Sequence, residues 1–277
     1  MTNHYLLIDG VLRQGVITEL YGCGEEMEIE PLYVGTRWQE AHDLGPILVA
    51  ASPHSKLLSD AQSDLDWLRS SSRLSSNANL KEVADHLREF ICVRSPSGSQ
   101  SLLRFADPLV AWYWLASYAP SQYPHLLGPI TSWEVALTPT KWESRTELQR
   151  MAYTAVSHPP IAFDRALLDE HQEQALQEAY HRQLKTRLYD WLQTYVPDLL
   201  QQQAAVDSWL YNRLQSAEQA GLDSERSIAI WALLSLEQGD DFFSVTTSAY
   251  SQWLASTPAA QGLPAEVNLQ TFFNEHA

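Results

Sequence analysis

Glycine is scarce in this chain: 11 of 277 residues, about 4% against the ~7% of an average protein. A turn-dense β-sandwich is disfavoured, and a helix-rich architecture is expected. Cysteine is nearly absent. Cys23 and Cys92 are too few for a disulfide framework or a cysteine-based zinc site. Positive charge is short as well, with 18 Lys and Arg against 34 Asp and Glu and a net charge of −16. The excess is distributed, −6 over residues 1–120 and −10 over 121–277, so it is not an acidic tail. Such a surface repels phosphate backbones and anionic lipid, which argues against a nucleic-acid partner. It fits a solvated exterior, and it also fits complementarity to a basic partner. No apolar run approaches the ~20 residues that span a bilayer, so membrane insertion is not expected. The opening Met1-Thr2-Asn3-His4-Tyr5 lacks the basic region and apolar core of a secretory signal. The expected location is the reducing cytoplasm.

Signatures of chemistry are also missing. Gly22-Cys23-Gly24-Glu25-Glu26-Met27 starts like a dinucleotide loop, but it has no third glycine and puts glutamates where a pyrophosphate would sit. There is no phosphate loop ending in Gly-Lys-Ser/Thr and no Gly-x-Ser-x-Gly nucleophile elbow. The nine histidines show no metal-binding spacing. Glu170-His171 reads as a solvated pair at a helix start, and Asp240-Asp241 as a turn. His86, between Asp85 and Arg88, is expected on an exposed helix face. No catalytic residue, cofactor or metal ligand is nominated, although a set assembled from distant positions leaves no trace in spacing.

What is present is a sharp structural junction. Leu102-Leu103-Arg104-Phe105-Ala106-Asp107-Pro108 reads as a strand that stops at an aspartate and turns into a helix. Asp107 suits the N-cap and Pro108 the first helical position. The following Leu109-Val110-Ala111-Trp112-Tyr113-Trp114-Leu115-Ala116 is apolar all round, which implies burial or a partner. Upstream, Tyr5–Ile8, Ile29–Val34, Pro46–Ala50 and Ile91–Val93 read as strands. Val16–Tyr21, Leu57–Leu68 and Leu80–Phe90 read as helices, the last capped by Asn79. Ser95–Ser99 is a hairpin connector.

Residues 1–125 are therefore expected to form an α+β or α/β lobe. Residues 126–160 are a proline-containing connector with one more strand at Ile130–Leu137, closed by His158-Pro159-Pro160. Residues 161–277 read as an all-α lobe. Its apolar stripes run through Leu176, Tyr180, Leu184, Leu188, Trp191 and Tyr195; through Val206, Trp209 and Leu214; through Ile228, Trp231 and Leu234; and through Tyr250 and Trp253. Gly221, Gly239 and Gly262 sit where helices should end. Ten tryptophans and twelve tyrosines are a high aromatic load; most are expected in the core, and a surplus would fit a binding surface, where such residues act as anchors.

Several pieces, taken in order, resemble the adaptor or chaperone proteins of type VI secretion. Tyr5-Leu6-Leu7-Ile8-Asp9-Gly10 is similar to that family's opening, Leu32-Tyr33 and Gly45-Pro46-Ile47-Leu48-Val49 to its central section, and Leu87-Arg88 with Ile91-Cys92-Val93 to its helix–strand pair. Leu102 to Pro108 resembles its Leu-Leu-Arg-Phe-aromatic-Asp-Pro signature. The resemblance covers about residues 4–120. Ala106 departs from the aromatic of that signature and Leu109 from an arginine. The resemblance implies a non-catalytic protein that holds a toxic effector in the cytoplasm of a Gram-negative bacterium and helps mount it on a VgrG/PAAR spike protein. Its cargo would be a short helical or extended segment of an effector or spike protein, lying in a groove between the lobes or on the helical lobe. Candidate contacts are Arg104, Asp107, Trp112, Trp133, Trp191, Trp209 and Trp231. For Arg104 and Asp107 an internal salt bridge or a plain cap is the competing reading. An immunity protein that plugs a basic toxin and a hydrolase with a dispersed site remain as alternatives.

Overall fold

A computed structural model describes residues 2–155, 163–260 and 262–276; His158-Pro159-Pro160 lies outside the described residues. The contacts gather the chain into two units, Met1–Pro139 with Glu147–Tyr180, and Thr140–Thr146 with His181–Ala277.

The first unit is built on a six-stranded sheet in the order β2-β3-β1-β4-β7-β8. The strands are β1 (Asn3–Asp9), β2 (Met27–Pro31), β3 (Pro46–Ala51), β4 (Ser71–Ser76), β7 (Ile130–Leu137) and β8 (Gln149–Thr154). Every neighbouring pair is antiparallel. β1 is central, and its unbroken apolar run is explained by cover on both faces. Leu6 and Ile8 point into one core with Ile47, Val49, Leu57, Leu58 and Trp67. Tyr5 and Leu7 point into the other, with Leu48, Leu74, Phe90, Trp114 and Trp133. The first core is closed by α1 (Val16–Gly22), α2 (Lys56–Ser63) and α3 (Leu65–Ser70), the second by α4 (Leu80–Arg88) and α5 (Pro108–Ala116). A short hairpin, β5 (Cys92–Arg94) with β6 (Gln100–Leu102), leads into α5. The small α6 (Tyr123–Leu127) precedes β7.

Three local expectations need correction, and one strand was not foreseen. Leu57–Leu68 is two helices, because Asp64 turns extended and caps α3 by accepting from the Asp66 and Trp67 amides. Only Met27–Pro31 is strand in the Ile29–Val34 region; after Pro31 the chain folds into a turn in which the Val34 amide reaches the Pro31 carbonyl. The strand before α5 ends at Leu102, and a turn closed by the Asp107 amide on the Arg104 carbonyl carries the chain into the helix. The serine-rich strand β4, which nothing in its apolar content announces, sits between β1 and β7. Its hydroxyls are not idle: Ser72 Oγ accepts from Trp133 Nε1 at 2.9 Å inside the core.

The C-terminal region is entirely helical: α7 (Glu170–Tyr195), α8 (Pro197–Gln201), α9 (Val206–Gln219), α10 (Glu225–Gln238), α11 (Ala249–Ser256) and α12 (Ala265–His276). Residues of α7 from Leu184 onward join the helical core with Leu210, Leu214, Trp231, Leu234, Phe242 and Phe272. Trp142, from the Thr140–Thr146 segment, belongs to the same core, with its Nε1 on Thr186 Oγ1 at 3.0 Å and Lys185 Nζ 4.3 Å from its ring. α10 starts at an N-cap serine, Ser224, and stops at Gly239, whose φ of 96° suits a residue without a side chain.

Candidate functional site

The sequence signatures converge at one end of the central sheet. Asp9, the last residue of β1, is buried, and its Oδ1 accepts from the Val11 and Leu12 amides at 2.9 and 3.0 Å. Arg104 Nη2 donates to both Asp9 oxygens at 3.0 and 2.9 Å and lies 3.6 Å from Asp107 Oδ2. Asp107 Oδ1 accepts from the Leu109 amide at 2.9 Å and so caps α5. Burial pushes the Asp107 carboxyl up to about 6, Arg104 pulls it back and Asp9 pushes it further. Two buried acids thus share one arginine whose side chain is 39% exposed.

The turns around this pair are fitted to one another. The Gly10 amide donates to the Gly45 carbonyl at 3.0 Å, and a Cβ on Gly10 would lie 2.2 Å from the Asp43 carbonyl oxygen. A Cβ on Gly45 would fall 2.5 Å from the ring of Tyr33. The Asp-Gly, Gly-Pro, Leu-Tyr and Arg-Phe-x-Asp-Pro pieces are therefore one interlocked knot. As chemistry it is a structural ion pair and a cap. Among the described residues no group of three His, Cys, Asp or Glu side chains is placed to hold a metal.

The tryptophans divide by burial. Trp133, Trp209 and Trp231 are buried, and each indole N–H has a partner: Ser72 Oγ at 2.9 Å, Asp240 Oδ1 at 3.0 Å and Ser216 Oγ at 2.9 Å. Trp112 and Trp191 are half-buried. The Trp112 carbonyl accepts from the Tyr153 hydroxyl. Trp191 leans on Tyr195 at 4.9 Å between ring centroids and lines a cleft of the helical unit. The candidates are thus not gathered in one place. Arg104 and Asp107 meet at the knot, and Trp191 opens onto the cleft.

His86 corrects another expectation. It is buried rather than on an exposed face, with Nε2 on the Leu126 carbonyl at 3.0 Å and an edge-on contact with Phe90. Burial first, then the nearby Arg165, depresses its imidazole to about 4. The polar neighbours Asp85 and Arg88 pair with each other and hide this inward-facing position in the sequence.

Residues 4–125 match DUF4123, described as a domain of unknown function. This segment belongs to the DUF4123 family. It is the same stretch over which the sequence pieces resemble the adaptors of type VI secretion. The chain is also 28% identical over 234 residues to "Accessory protein VasW" of Vibrio cholerae serotype O1, covering 82% of this chain and 72% of that protein. No solved structure matches.

The DUF4123 segment runs from the second residue of β1 into α6 and so contains the whole knot, but it stops before β7. The likeness to VasW goes further. It spans more residues than precede α7, so it extends into the helical region. Beside Trp191, the cleft residues Arg226 and Phe273 were not nominated from sequence, because Arg226 is a polar residue in the first turn of α10 and α12, which carries Phe273, has no stripe clear enough to read.

Proposed function

We propose that this protein is an adaptor of type VI secretion. It binds a segment of a toxic effector in the cytoplasm, keeps the effector competent for export and helps mount it on a VgrG/PAAR spike protein. The observation that carries this reading is the DUF4123 domain with its signature knot, in a chain similar to an accessory protein along most of its length. The chemistry of the knot supports a binding role. Arg104 and both acids are spent on an ion pair and a helix cap, which leaves them no free base or nucleophile for catalysis. The acidic surface supports a protein partner over nucleic acid or anionic lipid.

The test is co-purification of the full chain with the effector encoded beside it. A stable complex is expected, together with loss of effector from the culture supernatant when the chain is deleted. No complex with any neighbouring effector or spike protein contradicts the reading. If instead the chain blocks the toxin's activity and leaves its export unchanged, it is an immunity protein.

A further inference from the structure

The helical unit carries a cleft of about 410 Å³ between α7, α10 and α12. Its floor is made by the buried side chains of Leu184, Leu188 and Ile228. The half-buried rings of Trp191 and Phe273 form its walls. One turn past Trp191, Tyr195 packs on the indole and is itself 67% exposed, so the apolar surface continues beyond the cleft. Large aromatics held against a scaffold with part of their surface free are the residue type that dominates binding energy at interfaces.

Three charged residues stand at the edge: Arg187, Glu225 and Arg226. The first two neutralise each other, with Arg187 Nε and Nη2 on the Glu225 carboxylate at 3.0 and 2.6 Å. Among the described residues, Arg226 donates only to an amide, Asn274 Oδ1 at 3.1 Å, and forms no ion pair with a carboxylate. This is the reverse of the chain as a whole, which has nearly two acids for every base. A basic segment entering the cleft would meet Arg226 and find Glu225 already engaged. A segment with a carboxylate is disfavoured by the acidic surface elsewhere and satisfied here. Charge of this kind fixes register and rejects wrong partners more than it adds raw affinity.

We propose that this cleft seats a short amphipathic segment of the effector. Its apolar side chains, at helical i and i+3 or i+4 spacing, fill the trough over Leu188, Trp191 and Phe273, and its carboxylate pairs with Arg226. The inference rests on the adaptor reading and adds to it the chemistry of the recognised segment and the place that receives it.

The experiment uses the full-length chain and the effector that co-purifies with it, with affinity read by titration calorimetry. Arg226→Glu is expected to weaken the complex at least tenfold. Arg69→Glu makes the same charge change at an exposed residue of the N-terminal unit and is expected to leave affinity within twofold. Trp191→Ala also weakens binding, and circular dichroism with unchanged unfolding midpoints confirms that both helical-unit variants are folded. Changing the matching effector acid to lysine restores binding to Arg226→Glu. If Arg226→Glu binds as Arg69→Glu does, or if no single acid-to-lysine change in the effector restores it, the cleft assignment is overturned while the adaptor reading stands. If the unaltered chain captures no effector, the adaptor reading fails and the assignment falls with it.

Discussion

Arg104 spans 95 positions of sequence to hold Asp9 by both carboxylate oxygens, at 3.0 and 2.9 Å through a single nitrogen. The same nitrogen lies 3.6 Å from Asp107, so one guanidinium ties the end of β1 to the start of α5. Removing it leaves two buried acids without a cation. Breaking a buried pair costs about 3–5 kcal/mol. Arg104 is more than a third exposed, so the loss for Arg104→Ala is expected at about 2–3 kcal/mol. Arg104→Lys keeps a point charge for the same oxygens and recovers part of it. Urea unfolding at pH 7 reads both. A midpoint unchanged in Arg104→Ala means the ion pair does not hold the knot.

Asp107 and His86, two buried titrating groups of the first unit, make opposite predictions over the same pH range. Asp107 sits at about 6 in the fold against 3.8 ordinarily, so the native state keeps a proton that the unfolded chain has released. Its contribution to stability is full below about pH 4 and lost as pH rises through 6, a change of about 3 kcal/mol. His86 sits at about 4 against 6.5, so the native state refuses a proton that the unfolded chain accepts. Its contribution is present above pH 6.5 and lost as pH falls toward 4, by about 3 kcal/mol. Relative to the unaltered chain, Asp107→Asn, whose amide oxygen still caps α5, should therefore gain stability between pH 4.5 and 7. His86→Leu should lose it over the same interval. Urea midpoints at the two pH values check the signs, and the same sign in both variants contradicts the assignment.

Gly128 is a steric partner of that histidine. It has φ +54°, and a Cβ there would stand 2.6 Å from His86 Cε1 and 2.8 Å from Nδ1. Gly128→Ala is expected to cost about 2 kcal/mol or more, from backbone strain together with overpacking. His86→Ala clears the ring, so in the double variant part of that cost should vanish. A double-mutant cycle with a coupling energy near zero means that the strain is in the backbone alone.

The sequence displayed the parts of the fold that depend on local rules. Asn79 makes a capping box with Glu82, and Asp107-Pro108 starts α5 as an N-cap and first-turn proline should. β1 is readable because four consecutive apolar residues meet two cores. β4 is not, because Ser71–Ser76 contributes one large apolar residue, Leu74, and joins the sheet through its backbone and its hydroxyls. The inward turn of His86 is equally hidden, since it depends on the Leu126 carbonyl, 40 positions away.

The same distinction governs the sites. Asp9, Gly10, Gly45 and Arg104 stand out as a pattern, yet only the tertiary contacts explain why those types are needed: one carbonyl, one ring and one guanidinium fill the space around them. Trp133, Trp209 and Trp231 look like Trp191 in the sequence, because helical and strand spacing put all four on an apolar stripe. What separates them is whether a neighbouring element covers the ring, and the ring of Trp191, itself a wall of the cleft, is only half covered.

The adaptor role is tested most directly by measuring effector in culture supernatant and in cells, in a strain lacking this chain and in one that carries it back. The account predicts that secreted effector disappears without the chain and returns with it, while other substrates of the secretion machine are exported normally. Undiminished secretion of every effector in the deletion strain would contradict it.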